Sequence, residues 1–211
     1  MGPLSASRLQ SHLPAFFNVG INFFEPFSQT IFHRKVKRYG VIFAFLDCRA
    51  VHHDVTHSMN LDSFVMALTR FVDLRGLPRI YYSDNGTNIV AGEQEIADAL
   101  AGWNREILAN KAANQDVERR FSPPASPHFC GSWKRLIQSA KHALRSVLNE
   151  RTLNNEILLA AMSGVTALLN VRPLAYVSVD PHDPLPLTPN HFLTGWPNPG
   201  FILTVLKISV V

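Results

Sequence analysis

Asp84 stands in Ser83-Asp84-Asn85-Gly86, and a carboxylate beside a tight turn is the right type of group to ligate a hard divalent cation. Taken alone, Asp-Asn-Gly is a common turn sequence, so the plain assignment of Asp84 is structural. A second group is Lys134, Gln138, Lys141 and Arg145, which recur at steps of four, three and four. On a helix that spacing stacks them along one side. Such a row is by default a solvated face; beside a nucleic-acid cleft it becomes a phosphate-contacting one. His52, His53 and His57 resemble a metal cluster, but strand alternation sends His52 and His53 to opposite faces and argues against zinc. Cys48 and Cys130 lie far apart with no CxxC spacing. That fits a reducing compartment and opposes a disulfide framework or a structural zinc site.

These side chains need elements to hold them. Positions 16–24 are rich in Phe, Val and Ile and stop at Pro26, as a strand would. Positions 39–46 form a nearly continuous apolar run, expected of a strand buried on both faces. Asp47-Cys48-Arg49 reads as a tight connection, and 50–56 as the paired third strand. Leu61, Phe64, Val65, Leu68, Phe71 and Val72 then recur at helical spacing. Asn60 is placed to cap that helix, and Gly76 with Pro78 to stop it. Asp62 falls in its first turn, where a negative charge suits the dipole.

A short strand at 79–82 leads to Asp84, and Ile96, Leu100, Trp103 and Ile107 mark a second amphipathic helix. Positions 117–121 read as a last strand before the Pro-rich loop 122–127. The helix of the basic row, 132–148, buries Trp133, Leu136, Ile137, Ala140, Leu144, Val147 and Leu148. A further helix carries Ile157, Leu158, Ala161, Val165, Leu168 and Leu169, and the proline-dense stretch 173–199 is expected to be loop. Three hairpin strands followed by alternating helices and strands predict an α/β fold, a mixed central sheet of about five strands flanked by helices.

With 211 residues, 46% of them hydrophobic and 17% charged, the chain can build one substantial core. Its net charge of +4 and pI near 9.3 lean mildly towards an anionic partner. Positions 1–10 lack the apolar core of a secretory signal, and Ala6 stands where myristoylation requires Ser or Thr. No run reaches the roughly 20 apolar residues of a membrane helix. An intracellular protein, not secreted and with no membrane association, is the expectation. The organisation expected is an extension at 1–13, a core at 14–175, its proline-rich C-terminal segment at 176–200 and an apolar tail at 201–211.

Seven segments, taken in order, resemble the integrase catalytic core of Pao/BEL-type long-terminal-repeat retrotransposons. They begin with Val19-Gly20-Ile21-Asn22-Phe23-Phe24-Glu25-Pro26-Phe27, Lys37-Arg38-Tyr39-Gly40-Val41-Ile42-Phe43 and Arg49-Ala50-Val51-His52. Tyr82-Ser83-Asp84-Asn85-Gly86-Thr87-Asn88 follows, then the stretch from Pro123 to Leu136 that contains Pro127-His128-Phe129-Cys130-Gly131-Ser132-Trp133-Lys134-Arg135. Asn170-Val171-Arg172-Pro173-Leu174 and Leu187-Thr188-Pro189-Asn190-His191-Phe192-Leu193 complete the set. Any one of these is weak; the ordered set is specific. The spacing from Asp84 to Lys134 is longer than in retroviral integrases, and the motifs on both sides accommodate it. The amino-terminal HHCC-type zinc module of full integrases is not recognised in the sequence.

The resemblance implies an RNase H-like fold and polynucleotidyl transfer in DNA integration, with DNA as partner, a homo-oligomer as working form and the nucleus as location. That chemistry uses two Mg²⁺ or Mn²⁺ ions about 3.5–4 Å apart, held by two Asp and one Glu. Asp84 matches the second carboxylate and remains a catalytic and metal-ligating candidate. Asn22 occupies the first position and Lys134 the third, with the following Arg135 securing the register. Lys134, Arg135, Gln138, Lys141 and Arg145 are the implied nucleic-acid contacts.

An asparagine keeps an oxygen ligand but loses its charge, and an ammonium donates hydrogen bonds and cannot ligate while protonated. At an effective dielectric near 20, a monovalent–divalent repulsion across 4 Å is on the order of 8 kcal/mol before screening. The triad Asn22/Asp84/Lys134 therefore predicts a core that folds with impaired catalysis. Asp47, Asp54 and Asp62 are the nearest acids in sequence, and Asp54, on the third strand, is the candidate to substitute. Asp to Asn, Glu to Lys and Gly to Glu at position 25 are each one G-to-A change, as decay of an inactive genomic copy would produce. The rival expectations are a co-opted DNA-binding or interaction module, a residually active nuclease built on Asp84, and a translated relic.

Overall fold

β1 (Asn18–Ile31) and β2 (Arg34–Phe45) pair antiparallel over nearly their whole length. The computed structural model describes residues 14–31, 34–83, 118–121, 127–148, 154–175, 180 and 186–197. β3 (Val51–Thr56) pairs antiparallel with β2, while β4 (Ile80–Ser83) pairs parallel with β1 and β5 (Glu118–Phe121) parallel with β4. The order β3-β2-β1-β4-β5 makes a mixed five-stranded sheet, as the sequence predicted. β1 does not stop at Pro26. Its register shifts between Phe24 and Pro26, and a bulge is one of the few places where a strand tolerates a residue with no N–H.

The apolar run through β2 is buried on both faces, from Val41 to Phe45. On one face lie Val19, Ile21, Val41, Phe43 and Phe45, packed against Phe64, Leu68 and Phe71 of α1 (Leu61–Arg75). Phe43 and Phe71 stack with ring centroids 4.2 Å apart. On the other face Phe24, Ile42, Ala44, Val51 and Tyr82 meet α2 (Pro127–Leu148) and α3 (Asn155–Asn170). Leu136, Ile137, Ala140, Leu144 and Leu148 form the buried side of α2, as their spacing required.

The helix ends follow local chemistry. The Asn60 side chain accepts a hydrogen bond from the Ser63 N–H at 3.1 Å, and Gly76 takes a φ of 89° at the other end of α1. Asn154 caps α3 by accepting from the Ile157 N–H at 2.7 Å. α2 begins at Pro127, five residues before the expected start at 132; proline's fixed φ suits the first helical position. The expectation of loop throughout 173–199 is corrected by α4 (Pro189–Thr194). There the Thr188 N–H donates to His191 Nδ1 at 3.0 Å and Pro189 opens the helix. The helix expected around Ile96 to Ile107, the loop 122–126, the extension 1–13 and the tail 201–211 lie outside the described residues.

Candidate functional site

Asn22 sits on β1, the central strand of the sheet, opposite Ile42, which in turn pairs with His53 of β3. Paired residues share a face, so the row Asn22, Ile42, His53 points to the side covered by α2 and α3. The parallel ladder between β1 and β4 runs from Asn18↔Ile80 to Ile21↔Ser83. It ends one residue before Asn22 on one strand, and on the other the next residue is Asp84, which lies outside the described residues. Lys134 is in α2, one turn before Gln138; its side chain is not among those described. The structure therefore places Asn22 and the helix of Lys134 on one face of the sheet, beside the strand that leads to Asp84.

Along α2, Arg135, Gln138 and Arg145 are exposed and Lys141 is half-buried. The polar row stays on the side away from Leu136, Ile137, Ala140 and Leu144.

Asp54 does not substitute at this site. It lies across from Val41 and, one strand further, Phe23, on the α1 face and opposite to Asn22. Its carboxylate accepts from Arg70 Nε at 2.7 Å while Arg70 Nη2 donates to the Val55 carbonyl at 3.1 Å. Asp54 and Arg70 open with His57 and Asp62 onto a cavity of about 450 Å³ at the β3 edge of the sheet, closed on its other side by Asn155 and Leu159 of α3. Asp62 is in the first turn of α1, as expected.

The histidines separate as alternation required. His52 lies against Phe43 and Phe71 on the α1 side, and His53 against Phe24 and Thr166 on the other. Burial, with the charge of Arg75 nearby, lowers the His52 pKa to about 4; burial lowers that of His53 to about 3. Both are neutral at pH 7. Among the described residues no group of three or more His, Cys, Asp or Glu can hold a metal. Burial raises the Cys48 thiol to about 11, which makes it a packing residue and a poor nucleophile.

Two segments that carried the resemblance meet in space. The Asn170 side chain accepts from the Val51 N–H and donates to the Val51 carbonyl, both at 2.8 Å. Arg172 donates to the carbonyls of Leu169 and Arg49, and Arg49 itself holds a positive φ of 58° in the β2–β3 turn. These residues fasten α3 to the sheet edge, a structural assignment that spacing alone did not supply.

Strand order, strand direction and helices on both faces define the architecture of an RNase H-like domain. The solved structures agree. The chain is similar to one in the intasome of simian T-cell lymphotropic virus in complex with PP2A regulatory subunit B56 gamma, with a TM-score of 0.57 and 13% identity. That match covers 85% of this chain and 60% of the other, so this chain spans about three fifths of that protein. It is also similar to the HTLV-2 integrase catalytic core domain in complex with magnesium, in its dimeric form, with a TM-score of 0.51 and 16% identity over 80% of this chain and 94% of that one. No protein-family model and no curated protein matches the sequence. The fold is RNase H-like, of the kind found in retroviral integrase cores.

Proposed function

We propose that this chain is a retrotransposon integrase core of Pao/BEL type that binds DNA and is impaired in polynucleotidyl transfer. The observation that carries this is the position of Asn22: a neutral amide on β1, beside the end of the β1–β4 ladder and on the face of α2. In the family pattern a carboxylate stands there. The likeness of the fold to an HTLV-2 core solved with magnesium supports a metal-dependent ancestry. The donor set does not fit two Mg²⁺ or Mn²⁺ ions. Asn22 contributes no charge, Lys134 contributes the wrong one, and Asp54 is committed to Arg70 on the opposite face. No catalytic step is therefore assigned through a metal.

On this reading the polar row of α2 contacts phosphates, the working form is a homo-oligomer, and the protein acts in the nucleus. The decisive experiment is a strand-transfer and nicking assay in Mg²⁺ and in Mn²⁺, with the native chain beside Asn22→Asp/Lys134→Glu. Activity only in the double revertant is the expected result. Turnover by the native chain that disappears on Asp84→Ala would sink the proposal of impairment.

A further inference from the structure

The β1–β2 hairpin is longer than the sheet it belongs to. β3 pairs with β2 only from Tyr39 to Ala44, and β4 pairs with β1 only from Asn18 to Ile21. The pairs from Phe27↔Arg38 to Ile31↔Arg34 lie beyond both neighbours. Among the described residues they form a two-stranded ribbon with no third strand beside it.

The charge of this ribbon is one-sided. Its β2 strand reads Arg34-Lys35-Val36-Lys37-Arg38, and positions 26–38 contain no acid. Those four cations equal the net charge of the whole chain, +4. Arg34, Lys35 and Lys37 are exposed and Arg38 is half-buried. The ion pair between Arg70 and Asp54 lies elsewhere, and among the described residues none of the four has a carboxylate partner.

We propose that this ribbon is an arm that grips the phosphate backbone of duplex DNA. The proposal rests on the reading of the chain as a DNA-binding protein and adds a surface separate from α2. Gln29 and its neighbours cover one face of the ribbon, so its open face is the one that carries Lys35 and Lys37. Two features favour duplex DNA as the occupant. Lys35 and Lys37 share a face about 6.7 Å apart, close to two steps of the roughly 3.4 Å rise per strand of B-DNA. Among the described residues of that side Ser28 and Pro26 are exposed and Tyr39 is half-buried, so no large apolar side chain stands out to enter a lipid surface. The same two strands also carry Asn22, nine residues from Ile31, or about 30 Å along the strand. A duplex held by the ribbon would lie in line with the candidate site at a distance of roughly five to nine base pairs.

The test is fluorescence anisotropy on the full chain, with labelled duplexes of two unrelated sequences and salt varied from about 50 to 200 mM. Arg34→Gln/Lys35→Gln/Lys37→Gln is expected to lower the slope of log affinity against log salt by about 2 to 3. Affinity should fall about tenfold or more on both sequences alike. Lys35→Arg/Lys37→Arg, which keeps the charge, should bind within about twofold of the native chain, and circular dichroism melts of all three should coincide. An unchanged slope in the triple variant, with the native chain binding DNA, overturns the arm and leaves the DNA-binding reading standing. A native chain that binds neither duplex overturns both. Loss of binding to anionic vesicles without loss of DNA binding overturns the arm in favour of a membrane contact.

Discussion

His53 shows how much one buried side chain constrains. Thr166 Oγ1 donates to the Met162 carbonyl at 2.8 Å, so at 2.9 Å it accepts from His53 Nδ1–H. That leaves Nε2 unprotonated, with no polar partner among the described residues. With the folded pKa at about 3 for His53 and about 4 for His52, the unfolded chain binds protons that the folded one does not as pH falls below about 6.5. Stability is therefore fully present above about pH 6.5 and is lost on acidification towards the folded values, by up to about 1.4 kcal/mol per pH unit for each histidine. Urea titrations at pH 6.5 and pH 5 should show a fall of about 1.5 kcal/mol per histidine. His53→Gln should remove about half of that pH sensitivity while leaving a folded protein. Equal sensitivity in the variant would assign the effect to other groups.

At the level of elements, the β1–β2 hairpin depends on a glycine. The Phe24 ring lies directly over Gly40, its partner across the ladder, where a Cβ would overlap it. The ring has no free direction to move in, being edge-on to both Phe27 and His53 and almost wholly buried. Gly40→Ala should therefore destabilise by about 1–3 kcal/mol through overpacking, measured as a drop in the denaturant midpoint at constant m-value. Gly40→Ala combined with Phe24→Leu should recover part of the loss; no recovery would place the strain in the backbone. The basic ribbon is the distal half of the same hairpin. Its position beyond the other strands comes from unequal strand lengths, and the run of four cations was legible only as charge until those lengths were known.

Across the whole molecule, α3 is held to the sheet by polar contacts as well as by its apolar side. β3 is an edge strand, and an open edge invites pairing with other chains. Asn170 occupies both backbone groups of Val51, and Arg70 with Asp54 occupies those of Val55. Asn170→Ala should cost about 2–4 kcal/mol, because it strands a buried N–H and a buried carbonyl together. Thermal unfolding would report the loss, and light scattering should show increased self-association through the freed edge. A variant as stable and as monodisperse as the native chain would contradict that role.

Period makes the helices at 61–75 and 155–170 and the doubly buried strand β2 readable from sequence, and Asn60 marks the start of the first, because those signals are local. The residue types at positions 22 and 134 are also readable, since residue identity needs no coordinates. At Pro26 and in the 173–199 segment local pattern points the wrong way: proline suggests a terminator, and a bulge and a helix start accommodate it. What no window of sequence contains is which side of the sheet a strand residue serves relative to a residue on another strand. Asp54 is the acid whose strand position in the sequence leaves a substitute ligand open, and register puts it on the opposite face, one position out of phase with the row of Asn22. Asn170 and Val51, 119 residues apart, were separate motifs until folding brought them together. Local pattern determined the elements and the residue types at positions 22, 84 and 134. Tertiary pairing alone decided which charged groups share a face, because register and strand length are set by long-range contacts.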